Sequence, residues 1–213
     1  MWVGKQVILR WSIVALVFFG GIIYGYFVII KDRPKILLLP VFGEKNTDGS
    51  DHKIADFSLI NQEGEPINSD DFRNKIYVAD FFFTNCEGIC PIMTDQMVRV
   101  ANSYMANPRV LLLSHTVKPE EDSVTVLKSY AEMRNADPKK WFFVTGEKEV
   151  INKLARNSYL VAGMGDTAGV DFVHTQFFAL IDPEKRIRGF YDGTDSVDVT
   201  KLIDDIEILL QER

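Results

Sequence analysis

The chain has 213 residues, 46% of them hydrophobic and 25% charged, a composition that suits one full-sized domain plus accessory segments and excludes a disordered or fibrous chain. The first 35 residues carry five Lys or Arg and one acidic side chain, which leaves 19 basic against 29 acidic residues and a formal charge of −10 on the remainder. A domain that acidic repels phosphate backbones and anionic lipid, so no nucleic-acid partner is expected; a basic protein surface is the compatible one.

From Trp11 to Ile30 the sequence runs twenty residues without a charge, between Arg10 and the polar stretch Lys31-Asp32-Arg33-Pro34-Lys35. That is the length a helix needs to cross a bilayer, and the residues that follow lack the small-x-small pattern of a cleaved signal peptide, so a retained transmembrane anchor is expected. Basic residues flank both ends and leave the orientation undecided. The expected organisation is an N-terminal flank (1–10), the anchor (11–30), a linker (31–53) rich in Gly, Asn and Asp, and a domain over 54–213.

Within the domain, Phe57–Ile60 and Glu65–Ile67 predict a small hairpin across Asn61–Gly64. Lys75–Phe83 is apolar on both alternations and predicts a central strand. Pro91–Met105 has helical spacing, Val110–Ser114 is a second buried strand, and Ser123–Met133 is a helix with Ser123 as N-cap. Trp141–Val144 predicts a strand and Gly146–Asn157 a helix. Gln176–Ile181 and Ile187–Tyr191 predict a strand pair, and Val197–Leu210 a closing amphipathic helix. Alternating strands and helices indicate an α/β fold with a mixed sheet flanked by helices on both faces.

The only two cysteines stand as Cys86-Glu-Gly-Ile-Cys90-Pro91, after the central strand and at the start of a helix. A helix N-terminus favours thiolate, the form that binds metal or attacks disulfides, and Pro91 suits a first helical turn. Residues four apart on one turn lie roughly 5–6 Å apart at Cβ, near enough to grip one metal or to close a disulfide. A purely structural disulfide would close a very short loop and constrain the unfolded chain little. Thioredoxin-type redox motifs have two intervening residues, and this one has three, which favours metal; two thiolates and an imidazole suit Cu(I), whereas structural zinc wants four protein ligands. Three histidines exist. His52 lies in the polar linker and reads as a solvated residue, His115 ends a central strand and reads as a structural group that could face the site, and His174 precedes the strand beginning near Gln176, at a sheet end where α/β folds gather functional groups.

Phe82-Phe-Thr-Asn-Cys86-Glu-Gly-Ile-Cys90-Pro91-Ile-Met93 and Val173-His174-Thr-Gln-Phe-Phe-Ala-Leu-Ile-Asp182-Pro183 resemble the paired signatures of the Sco/SenC proteins over about residues 54 to 211. The resemblance implies a thioredoxin-like fold, an N-terminal transmembrane helix, and copper held by Cys86, Cys90 and His174. It implies a role in assembling the dinuclear copper centre of cytochrome c oxidase, with the oxidase copper-binding subunit as partner. A bacterial cytoplasmic (inner) membrane, with the domain on its periplasmic or extracytoplasmic side, follows as the expected location. One departure stands out: in Val117-Lys118-Pro119-Glu-Glu-Asp122, Lys118 replaces the acid usual before the proline. The alternative reading is a membrane-anchored thiol–disulfide oxidoreductase, with Cys86 and Cys90 as a redox pair that reduces the cysteines of a copper-protein partner.

Overall fold

The computed structural model describes residues 18–21, 23–25, 38–161 and 175–212. The chain divides into two compact units, Met1–Leu37 and Leu38–Arg213. In the first, residues 18–21 and 23–25 are helical; most of the expected anchor at 11–30 lies outside the described residues, and among those described no helix is long and apolar enough to cross a membrane.

The second unit is a seven-stranded mixed sheet in the order β2-β1-β5-β4-β3-β6-β7. Its strands are β1 (Ser58–Asn61), β2 (Pro66–Asn68), β3 (Ile76–Phe82), β4 (Val110–Thr116), β5 (Trp141–Thr145), β6 (Phe177–Ile181) and β7 (Ile187–Asp192). The helices are α1 (Cys90–Ser103), α2 (Val124–Met133), α3 (Lys148–Lys153) and α4 (Ser196–Gln211). β3, β4 and β5 run parallel, and β1 and β6 add antiparallel strands on either side. All seven residues of β3 are buried because the sheet is covered on both faces, which is why that stretch lacks polar alternation. Ile76, Val78 and Phe82 point into one core layer with α1, α2 and α4, while Tyr77, Ala79 and Phe81 point into the other, with Ile151, Leu154 and Tyr159. Each fully buried large apolar side chain contributes about 1.5–3 kcal/mol relative to exposure.

Ser123 caps α2 as its sequence position predicts, its hydroxyl accepting from Val126 N–H. The helix expected over Gly146–Asn157 differs: α-helical bonding stops at Lys153 and a π-helical turn carries the chain from Leu154 to Ser158. The wider turn leaves Ser158 buried, where its hydroxyl accepts from Ala55 N–H at 2.7 Å and its carbonyl meets His52 Nε2 at 2.7 Å.

Residues 38–53, inside the stretch read as a linker, are held to the domain at several points. Leu39 N–H donates to the Glu212 carboxylate at 3.0 Å, Phe42 bridges to Ile187 beside β7, and Ile54 N–H donates to Lys185. Arg188 closes this attachment. Its guanidinium donates to the carbonyls of Leu39 and Pro40, to both Glu212 oxygens at 2.8 Å and to buried Asp182 at 3.1 Å.

Candidate metal centre

β3 ends at Phe82, and Phe83 to Ile89 form the loop that delivers Cys86 and then Cys90, the first residue of α1. Ile89 at the N-cap supplies no side-chain cap, Pro91 has no N–H to satisfy, and Met93 N–H donates to Ile89 O at 3.0 Å. Both cysteines are free thiols: Cys86 is partly exposed and Cys90 is buried. The two side chains are in hydrogen-bonding contact, and Phe83 N–H is directed at the Cys90 sulfur. Gly88 lies across from Cys86, where an added Cβ would come to 4.0 Å from Sγ.

The helix-terminus argument for thiolate fails at Cys90. Burial is the largest influence on it and pushes its thiol well above the usual cysteine range, with the Cys86 side chain adding in the same direction against the Phe83 N–H. Removing the sulfur from water costs the anion more than one helix end and one amide return.

The first turn of α1 is fixed from α2. Thr94 hydroxyl donates to Cys90 O at 2.8 Å and meets the Tyr130 hydroxyl at 2.8 Å, so Tyr130 braces the backbone that carries Cys90. On the same face of the sheet Asp80 is buried in β3. One of its oxygens has no hydrogen-bond partner among the described residues, and burial pushes its carboxyl up to about 7. A cleft of about 320 Å³ opens beside the loop, lined by Thr84, Asn85, Thr125, Val126, Ser129, Tyr130 and Met133.

Of the residues singled out in the sequence, the structure brings Cys86 and Cys90 together. His174 lies outside the described residues. Thr175, the next residue, is buried where the chain enters β6, which runs antiparallel to β3 with Ala179 opposite Ala79. Continuing that register brings Thr175 to the sheet end from which the cysteine loop departs. His115 is completely buried in the opposite core layer, stacked on Phe81 at 4.6 Å and packed on Tyr159, so the sheet separates it from Cys90. His52 is half-buried on Ser158. Lys118 pairs with Glu121 at 3.2 Å and lies over the Phe83 ring at 4.4 Å, which puts a cation where the resemblance leads one to expect an acid. Among the described residues no group of three or more His, Cys, Asp or Glu side chains is poised to hold a metal ion.

Sequence reasoning passed over Asp80, Thr84 and Tyr130. Asp80 had a signal, as the one charge inside the apolar run Ile76–Phe83; nothing in the spacing links Thr84 or Tyr130 to the cysteines.

Two soft thiols in mutual contact, one reachable from solvent, form a donor set that suits Cu(I) and equally suits disulfide exchange. Comparison with known proteins narrows the setting. The chain is 28% identical over 167 residues to the SCO1 protein homolog of Bacillus subtilis (strain 168), covering 78% of this chain and 86% of that one. It is similar to the structure of BsSco, described as a member of the Sco family of cytochrome c oxidase assembly proteins and as carrying a disulfide switch (TM-score 0.64, 27% identity, 76% of this chain and 95% of that one). It is also similar to Arabidopsis thaliana ScoI, solved with copper bound (TM-score 0.60, 26% identity, 75% of this chain and 98% of that one). The fold is thus the thioredoxin-like α/β fold of those proteins. The SCO1/SenC family model matches residues 45–211, and the chain belongs to that family.

Proposed function

We propose that this chain is a membrane-anchored copper chaperone that binds Cu(I) through Cys86, Cys90 and His174 and delivers it for assembly of the dinuclear copper centre of cytochrome c oxidase. The observation that carries the proposal is the pair of free, touching thiols at the start of α1, one of them partly exposed, in a chain of the SCO1/SenC family. The copper-bound state of the Arabidopsis relative supports the choice of metal. The entry of β6 at the sheet end where β3 delivers Cys86 supports His174, which precedes Thr175, as third ligand. In this reading residues 11–30 are the anchor and the domain lies on the extracytoplasmic side of a bacterial inner membrane, with the oxidase copper-binding subunit as partner. Cu(I) is cargo: three protein donors leave it open to attack by an incoming thiolate, so ligand exchange can pass it on.

The test is copper stoichiometry and affinity in the detergent-solubilised full chain, for the parent and for His174→Ala. Strong weakening in the variant with both thiols still titratable is expected; unchanged binding would overturn the three-ligand site. A reporter fused after residue 40 tests the topology, and reporter activity on the cytoplasmic side would refute it.

A second reading, a thiol–disulfide oxidoreductase that reduces the cysteines of a copper-protein partner, is favoured by the contact between Cys86 and Cys90 and by the disulfide switch described for BsSco. Equal disulfide turnover by the parent and His174→Ala would support it over copper delivery.

A further inference from the structure

The two cysteines sit on a loop that has to keep its shape while one sulfur faces solvent. What holds its near end is a carboxylate thirty-odd residues downstream. Asp122 is 1% exposed and lies at the end of the turn that follows β4, just before the N-cap of α2. Its Oδ2 accepts from Thr84 N–H at 3.2 Å and from the Thr116 hydroxyl, and its Oδ1 accepts from the Thr84 hydroxyl. The turn that carries it is closed by the N–H groups of Glu121 and Asp122, each donating to Lys118 O at 2.9 Å, and Lys118 N–H donates to Thr116 Oγ1 at 3.1 Å. β3 and β4 are still joined at this point through Val117 N–H to Phe82 O at 2.8 Å.

Successive amides after β3 therefore serve two masters. Phe83 N–H is directed at the Cys90 sulfur, and Thr84 N–H, one peptide on, is taken by Asp122. Phe83 N–H shares its peptide plane with Phe82 O, which Val117 N–H holds, and Asp122 holds the next plane, setting the point from which Asn85 and Cys86 leave the sheet. Two of the three donors are hydroxyls, which can also accept, so the carboxylate's role is tested by removing the side chain rather than by its amide.

We infer that Asp122, acting through Thr84, is the positioning residue of the cysteine loop, holding Cys86 and Cys90 in the arrangement that receives the metal. The inference rests on the reading of Cys86 and Cys90 as the functional pair. It makes the carboxylate an outer support for thiol ligands, the kind of group whose loss typically weakens metal binding about 10- to 100-fold. The support is asymmetric: Thr84 connects Asp122 to the loop, whereas Thr116 connects it only to the end of β4.

The experiment uses the full chain in detergent and four variants: Asp122→Ala, Thr84→Val, Thr84→Ser and Thr116→Val. Two quantities are measured: Cu(I) affinity by competition with bicinchoninate, and the rate at which iodoacetamide modifies Cys90 in the reduced, metal-free protein. Thr84→Val and Asp122→Ala are expected to weaken Cu(I) binding by at least about tenfold and to raise Cys90 modification. Thr84→Ser, which keeps the hydroxyl, should return both to the parent value, and Thr116→Val should leave both near it. If Thr84→Val matches the parent, or if Thr116→Val changes both quantities as much as Thr84→Val, the positioning role is overturned. Should Asp122→Ala not fold, the two Thr84 variants still decide. A parent chain that binds no Cu(I) while Thr84→Val still exposes Cys90 would overturn copper delivery and leave the support standing.

Discussion

Asp80 and His115 are neighbours across parallel strands yet face opposite sides of the sheet: His115 Nδ1 lies 3.2 Å from the Asp80 carbonyl oxygen, while the Asp80 carboxyl points toward the α1 layer. Each leaves one side-chain atom without a hydrogen-bond partner among the described residues, Oδ1 of Asp80 and Nε2 of His115. Burial acts on both in favour of the neutral form, pushing Asp80 up to about 7 from 3.8 and His115 down to about 4 from 6.5.

These shifts predict opposing pH dependences of stability. The folded protein keeps a proton on Asp80 that the unfolded chain releases, so this contribution is intact below about pH 4 and is lost as pH rises toward 7. It refuses a proton on His115 that the unfolded chain accepts, so that contribution is missing below about pH 4 and is restored by pH 6.5. They are on the order of 4 kcal/mol for Asp80 and 3 kcal/mol for His115, and between pH 4 and 6.5 they offset one another. Urea denaturation of the reduced, metal-free chain should therefore show Asp80→Asn gaining stability as pH rises through that window and His115→Phe losing it. Parallel slopes in the two variants would contradict the assignment.

Much of this arrangement could be read from the residues alone, and the misses share one cause. β3, β4, α1, α2 and α4 declare themselves because their burial is periodic or continuous, and Cys86 and Cys90 because they stand four apart in sequence and alone of their kind. Which face His115 occupies depends on strand register: one residue of slip would place it beside Cys90. Asp122, Thr84 and Tyr130 act across 36 to 38 residues of intervening chain, and such pairings become visible only when β3, β4 and α2 are placed in space. At Cys90 the helix N-terminus is a local signal that points to thiolate, whereas the burial that raises the thiol depends on the packed fold.

Arg188 also buries a charge, at 4% exposure between Asp182 at 1% and Glu212. Removing the guanidinium releases both Glu212 oxygens and the Leu39 and Pro40 carbonyls together, while Asp182 keeps Arg186 and the N–H groups of Glu184 and Arg186. Arg188→Ala is predicted to cost about 1–3 kcal/mol, the penalty of leaving buried acceptors unpaired. Arg188→Lys should recover little of it, because an ammonium cannot reproduce the fork that meets both Glu212 oxygens and two carbonyls. Denaturant midpoints of the two variants check this, and a lysine variant as stable as the parent would show that charge alone suffices.

The brace on α1 gives a smaller, graded effect. Thr94 donates to Cys90 O and so receives from Tyr130, which makes the tyrosine hydroxyl the outer member of a short chain. Tyr130→Phe removes one hydrogen bond and should cost about 1 kcal/mol, whereas Thr94→Val breaks both and leaves a buried tyrosine hydroxyl unpaired, for about 1–3 kcal/mol. The double variant should be less destabilised than the sum of the two, since both changes remove the same contact. Additive losses in a double-mutant cycle would mean the chain is not coupled.

The last prediction concerns order of reaction at the two thiols. Cys86 is partly exposed in the loop, whereas Cys90 is buried at 3% exposure and held protonated by that burial, and alkylation needs both access and thiolate. Under native, reducing conditions iodoacetamide should modify Cys86 first, with Cys90 following only at the rate of local opening. Cys86→Ser should therefore leave a protein that reacts slowly until denaturant is added, and Cys90→Ser one that reacts as quickly as the parent. Peptide mapping after timed quenching reads both. Equal modification of the two cysteines at early times would show that Cys90 is open to solvent, and then either thiol could be the first to meet an incoming metal or disulfide; with the order found as expected, Cys86 is the point of entry and Cys90 closes the site behind it.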